Sequence, residues 1–146
     1  MSASVQFATK NLEETIALGA RLGRTLPINS VICLQGQLGA GKTQLVKGIV
    51  SGATGIPIQE VGSPTFVYLN TYQGPKHVYH FDLYRLHDVD EFLSMGFDEY
   101  FTAGGLCCIE WPDRITPIIP LDALTITLEP TAEDERLITF DRSMEW

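Results

Sequence analysis

Basic residues are scarce in this chain. Ten Lys and Arg stand against eighteen Asp and Glu, a formal net charge of −8, and no Lys/Arg-rich run occurs. Proteins hold nucleic acid with cations that neutralise its phosphates, so this balance argues against a protein that grips RNA or DNA strongly by itself. An acidic surface keeps a protein soluble and equally suits docking on a basic patch of another protein. Long apolar runs are missing too. None approaches the ~20 residues that span a bilayer, and no basic-then-apolar leader opens the sequence, so a cytoplasmic protein with no membrane contact is expected.

Cysteine is limited to Cys33, Cys107 and Cys108. The odd number and the apolar runs around them exclude a disulfide framework and predict reduced, buried thiols, and no metal-ligand spacing links them. Internal repeats and low-complexity segments are absent. A chain of 146 residues, 45% of them hydrophobic, suits a single domain, 1–146, with one core. It leaves no length for a large lid or a separate substrate domain, so specificity must come from short loops or from a partner.

Against these absences stands one complete motif. Gly36-Gln37-Leu38-Gly39-Ala40-Gly41-Lys42-Thr43 matches G-x-x-x-x-G-K-[ST], the phosphate-binding loop of nucleoside triphosphate enzymes. Val31-Ile32-Cys33-Leu34 reads as a buried parallel strand delivering the chain into that loop. The glycines let backbone N–H groups close on an anion, Lys42 can reach the β- and γ-phosphates, and the Thr43 hydroxyl can ligate Mg²⁺. A helix opening near Lys42 adds unpaired N–H groups and a positive dipole end. A plain glycine-rich turn would explain neither Lys42 nor Thr43.

The rest of the pattern predicts a mixed α/β sheet with helices on both faces. Asn11 and Glu14 resemble a helix N-cap and its partner, and Leu12, Ile16, Gly19, Leu22 and Leu26 trace one face of a helix expected to pack on the sheet. Leu45, Val46, Ile49, Val50 and Ala53 continue a stripe after the loop. Residues 63–69 and 77–83 flank the turn Gln73-Gly74-Pro75-Lys76 as a hairpin. Asp88 and Glu91 start a short helix before Phe92, Met95 and Gly96. Leu106-Cys107-Cys108-Ile109 is a buried strand ending at Glu110, and residues 123–128 and 136–140 alternate as late strands.

Phosphate-loop enzymes need a further acid at the end of a buried strand to hold Mg²⁺ or its water shell. Glu110, after four apolar residues, is the first choice, and Asp82, after Val78-Tyr79-His80-Phe81, is the second. One would bind the metal, while the other would act through water or position the attacking water. Trp111 could stack on an aromatic ring or close the core. His77 and His80 read as structural strand histidines. No N-K-x-D element for guanine and no evident arginine finger is present, Arg85 and Arg114 being the nearest candidates, so slow hydrolysis by the isolated chain is expected.

These residues, in this order, resemble the TsaE (YjeE) family, bacterial ATPases of tRNA threonylcarbamoyladenosine synthesis. The resemblance is carried by Leu38-Gly39-Ala40-Gly41-Lys42-Thr43, Ser63-Pro64-Thr65-Phe66, His80-Phe81-Asp82-Leu83-Tyr84-Arg85-Leu86, Asp98-Glu99-Tyr100-Phe101 and Ile109-Glu110-Trp111-Pro112. It implies a mononucleotide-binding α/β fold and a weak ATPase that uses ATP and Mg²⁺. The partners would be TsaD and TsaB, with tRNA reached through their complex. Lys42, Asp82 and Glu110 would be catalytic, and Thr43 and Glu110 would hold the metal. Gly36, Leu38, Gly39, Ala40, Gly41, Lys42 and Thr43 would contact the nucleotide, with Ser63 and Thr65 on a switch-like loop and Trp111 beside the site. Leu12 and Arg136 would border the base. Gln37 departs from the aspartate common in the family. The competing reading is a small-molecule or nucleotide kinase built on the same loop.

Overall fold

The predicted strands, with one more at the N-terminal end, assemble into a single mixed sheet. The computed structural model describes residues 3–37, 39–62, 68–144 and 146. Its strands are β1 (Val5–Thr9), β2 (Val31–Gln35), β3 (Leu69–Tyr72), β4 (His77–Asp82), β5 (Gly105–Glu110), β6 (Leu124–Pro130) and β7 (Arg136–Phe140), in the sheet order β1-β7-β6-β2-β5-β4-β3. The centre, β6-β2-β5-β4, is parallel, and antiparallel pairings add β7 and β1 at one edge and β3 at the other. The helices are α1 (Leu12–Thr25), α2 (Lys42–Thr54) and α3 (Val89–Ser94). Short 3₁₀ turns at Phe97–Thr102 and Pro112–Ile118 accompany α3.

All six residues of β5 are buried, as expected of a strand covered on both faces. Ile32, Leu34, Val78, Leu106, Cys108 and Ile126 face α1 and α2. Val31, Cys33, Tyr79, Phe81, Cys107 and Ile109 face α3 and the 3₁₀ turns, where Phe92, Phe101 and Ile115 complete the layer. The three cysteines are free and buried. Burial pushes the Cys33 thiol up to about 11, with Asp141 adding to it, and pushes Cys107 up to about 12, so both stay protonated and inert near neutral pH. Among the described residues no helix is long and apolar enough to cross a membrane.

The cap expected at Asn11 forms, its Oδ1 accepting the Glu14 N–H at 2.9 Å. Glu14 reaches back one residue further than in the usual capping box, to the Lys10 N–H at 2.8 Å. Asp88 and Glu91 repeat the arrangement on α3, with Glu91 accepting from the His87 N–H. The expected hairpin is β3–β4, paired from Leu69↔Phe81 to Tyr72↔Val78, but its first strand starts only at Leu69, the last residue of the predicted 63–69, of which 63–67 lie outside the described residues.

Helix α1 packs on the sheet as expected, Leu22 and Leu26 sharing a buried layer with Ile32, Leu124, Ile126 and Ile138, and its inner face also lies directly on α2. Its buried residues are Thr15, Gly19, Leu22 and Gly23, and the glycines on the two helices remove the side chains that would hold them apart. A Cβ on Gly19 would lie 2.2 Å from the Leu45 carbonyl oxygen, and one on Gly48 would lie 2.1 Å from that of Ile16. Gly23 meets Ile49 and Gly52 meets Ala20 in the same way. Both series rise together in number, so the helices run parallel and their N-termini share one end of the molecule.

Gly48→Ala tests this contact. Helix propensity favours alanine by about 1 kcal/mol, but the added methyl strikes backbone that cannot rotate aside, at a cost of about 1–3 kcal/mol. Lower stability is expected in urea titration, and an unchanged or higher midpoint would contradict the close-packed crossing.

Candidate functional site

Three strand ends meet where β2 enters the loop. Register pairs Leu34 with Glu110 and Glu110 with Asp82 across β2, β5 and β4. Residues paired in a parallel sheet project to the same face, and Leu34 belongs to the α1–α2 side. Glu110 and Asp82 therefore project to the loop side, at the carboxyl ends of the strands where open α/β sheets bind ligands.

Loop 36–43 is shaped by positive φ at Gly36 (150°), Gly39 (81°) and Gly41 (101°). Gly36 lies so close to β6 that a Cβ there would stand 2.7 Å from the Leu128 carbonyl oxygen. Leu38 lies outside the described residues, as do Ser63 and Thr65. Gln37, the departure from the family pattern, is exposed.

The start of α2 differs from the other two helices. Asn11 caps α1 and Asp88 caps α3, each followed by acids in the first turn. Gly41, at the N-cap of α2, offers no side chain, and the first turn holds no acid. Its N–H groups and positive dipole end are left for an external anion.

Lys42 is 5% exposed. Its Nζ donates to the Gly36 carbonyl at 2.8 Å and lies 4.4 Å from the centroid of the Trp111 ring, a cation–π contact worth about 0.5–2 kcal/mol. Among the described residues no carboxylate forms an ion pair with it. A buried ammonium without a counter-ion is costly unless an anion joins it. The adjoining cleft, of ≈ 140 Å³, is lined by Leu34, Gln35, Gly36, Lys42, Trp111, Pro112 and Asp113.

Trp111 reaches Lys42 by a left-handed backbone, φ 61° and ψ 53°, which costs a non-glycine residue about 1–3 kcal/mol. This bend turns the chain out of β5 and lays the ring between Lys42 and Tyr84, whose centroid is 5.0 Å away. Trp111 is half-buried and packs against the core edge, the second of the two readings given for it, with its ring also over Lys42.

Arg136 sits beneath the loop. Its guanidinium donates to the carbonyls of Ala40 (2.8 Å) and Gly39 (3.2 Å) and to those of Ala132, Glu133 and Glu135 in the β6–β7 turn. Gly41 passes so near that a Cβ would stand 3.1 Å from Nε. These donors tie the loop to the sheet, and none of the contacts made by Arg136 points to a base. Leu12 begins α1, half-buried, at the same end as Lys42 because the helices run parallel. Arg85 is exposed, and Arg114, also exposed, donates to the Tyr84 carbonyl.

Glu110 and Asp82 are held differently. Glu110 is buried, and its Oε2 lies 2.6 Å from His80 Nε2. Asp82 is half-buried and accepts the Tyr84 N–H at 3.1 Å. The remaining oxygen of each carboxylate, and the Thr43 hydroxyl, have no hydrogen-bond partner among the described residues. Two carboxylates and a hydroxyl are hard oxygen donors, the set that suits Mg²⁺ completed by water and phosphate oxygens. The contact of His80 with Glu110 was not foreseen in the sequence, where a lone strand histidine reads as structural. The available signal was its two-residue offset from Asp82, which places both on one face of β4.

A family model described as "Threonylcarbamoyl adenosine biosynthesis protein TsaE" matches residues 9–138. The chain belongs to the TsaE family. It is 40% identical over 136 residues to the tRNA threonylcarbamoyladenosine biosynthesis protein TsaE of Treponema pallidum, covering 92% of this chain and 98% of that one. The Bacillus subtilis protein of the same name is 39% identical over 137 residues, covering 93% and 84%. Among solved structures, the crystal structure of Bacillus subtilis YdiB superposes with a TM-score of 0.79 at 33% identity, covering 97% of this chain and 87% of that one. The mixed α/β architecture read from the sequence is thus that of a TsaE-family chain.

Arg136→Lys retains the charge but loses the planar fork. Loss of its bonds to the loop and the β6–β7 turn is expected to lower stability by about 1–3 kcal/mol, read as a lower midpoint in urea titration. An unchanged midpoint would mean that the loop keeps its shape without the guanidinium.

Proposed function

We propose that this chain is a Mg²⁺-dependent ATPase acting in the threonylcarbamoylation of the adenosine beside the tRNA anticodon, together with TsaD and TsaB. The observation that carries the ATPase reading is the anion-seeking end of α2. A buried Lys42 with no counter-ion among the described residues, an uncapped helix start and a glycine loop converge on one point. Membership of the TsaE family and the names of the relatives support the pathway.

In this reading the N–H groups of Gly39, Ala40, Gly41 and their neighbours cradle the β-phosphate. Lys42 exchanges the Gly36 carbonyl for β- and γ-phosphate oxygens. Thr43 and Glu110 would hold the metal, which when bound supplies positive charge against the phosphate oxygens. Asp82, one strand away, orients the attacking water. Leu38, Ser63 and Thr65 complete the nucleotide contacts, and Leu12 borders the base.

A low intrinsic rate follows from what the arginines already do. The guanidinium of Arg136 is committed to carbonyls, and Arg114 is turned toward Tyr84. That leaves exposed Arg85, whose guanidinium makes no hydrogen bond among the described residues, as the candidate to meet transition-state charge on the γ-phosphoryl, a contribution worth ~10³–10⁵ in rate once it is positioned. A partner protein supplies that positioning, or an equivalent constraint. The net charge of −8 fits docking on a basic protein face, with tRNA held by the partners.

The test is phosphate release and tRNA modification, measured with and without TsaD and TsaB. Partner-dependent acceleration is expected. Lys42→Ala should abolish nucleotide binding, while Glu110→Ala should retain much of the binding and lose Mg²⁺-dependent turnover by about 10²-fold or more. Phosphorylation of an added acceptor would instead mark a kinase, and unchanged turnover in Glu110→Ala would move the metal to Asp82.

A further inference from the structure

A buried histidine–carboxylate pair lies behind the strand ends. His80 is 1% exposed, and its Nε2 lies 2.6 Å from Oε2 of a Glu110 side chain that is 9% exposed. Register explains the meeting. His80 pairs with Cys108 and Asp82 with Glu110, so His80 and Glu110 are diagonal neighbours on one face of adjacent parallel strands. The other ring nitrogen, Nδ1, is buried with no hydrogen-bond partner among the described residues.

That orphan atom decides the tautomer. An imidazole carries its N–H on one nitrogen and a lone pair on the other. A buried N–H without an acceptor is penalised more heavily than a bare lone pair, since a donor without a partner is the rarer case in folded proteins. The N–H therefore belongs on Nε2, where it donates to the carboxylate, and the lone pair is left on Nδ1.

We infer that His80 is a positioning residue for the metal site: its Nε2–H pins Oε2 of Glu110 and so presents Oε1, in one fixed orientation, to the cation shared with Thr43. This rests on the reading of Glu110 as a metal ligand given above. A carboxylate on a strand end otherwise rotates about its terminal torsion, which is broad and weakly restricted, and partners that orient ligating groups typically contribute 10–100-fold in metal affinity. His80 touches neither phosphate nor water in this account and acts only through Glu110.

Two substitutions separate positioning from packing. The amide nitrogen of glutamine reaches about where Nε2 lies and that of asparagine about where Nδ1 lies, so His80→Gln can still donate to Oε2 and His80→Asn cannot. The quantity measured is the gain in ADP affinity on adding Mg²⁺, by calorimetry on the full chain. His80→Asn is expected to lose about 10–100-fold of that gain, with ADP affinity in the absence of Mg²⁺ unchanged, while His80→Gln stays near the wild type. Equal behaviour of the two variants, whether both intact or both impaired, would overturn the inference. The tautomer is read independently on the unsubstituted protein from long-range ¹H–¹⁵N correlations. An Nε2–H form supports the inference and an Nδ1–H form overturns it, whether or not the variants fold. If the wild type itself binds ADP no more tightly with Mg²⁺, the assignment of the metal to Thr43 and Glu110 fails first. If the wild type shows the gain and His80→Asn keeps it, only the role of His80 falls.

Discussion

A buried ammonium with no carboxylate partner among the described residues organises this molecule. Among the described residues Lys42, shielded from water, is held by the Gly36 carbonyl and the Trp111 ring, an arrangement that costs free energy until a negative group arrives. The surrounding structure keeps that point fixed. Arg136 locks the carbonyl side of the loop to the β6–β7 turn, Trp111 accepts a left-handed backbone to cover the lysine, and α2 begins with its N–H groups uncapped. The glycine-to-backbone crossing of α1 and α2 sets the helix start in place, because the two helices cannot slide without collision. Stability is given up at the loop and recovered in the two apolar layers on either side of the sheet.

The same geometry divides the work at the strand ends. Glu110 is the drier carboxylate, pinned from behind, while Asp82 is half-exposed and turned partly toward its own backbone. Two acids in such different surroundings are suited to different tasks, one to a fixed ligand position and one to mobile water. Short loops surround the site, and the acidic surface offers little grip on nucleic acid. Such a molecule works best as the nucleotide-dependent component of a larger assembly, which is the reading proposed above.

Much of this was legible in the sequence because it is written locally. The phosphate loop declares itself by residue type and spacing, Asn11 and Asp88 mark helix starts by their capping chemistry, and the unbroken apolar run before Glu110 places that acid at the end of a buried strand. What escaped the sequence depends on contacts between distant segments. His80 and Glu110 are 30 residues apart and meet only through the β4–β5 register. Arg136 reaches Gly39 across 97 residues. The face of α1 has the helical period of a sheet-packing helix, and its close crossing with α2 is written only in Gly19 and Gly23 set against Gly48 and Gly52. β1 escaped because Val5–Thr9 is short, lies at the sheet edge and gains its pairing from β7. The positive φ of Trp111 has no signature in residue type at all.

The central claim is that Lys42 waits for phosphate. It is tested most directly by a crystal structure of the chain with Mg²⁺ and a non-hydrolysable ATP analogue. The account predicts the triphosphate within loop 36–43, the Lys42 ammonium moved from the Gly36 carbonyl to phosphate oxygens, and the loop still tied to Arg136. A nucleotide bound elsewhere, or Lys42 still on Gly36 with the loop empty, would contradict it.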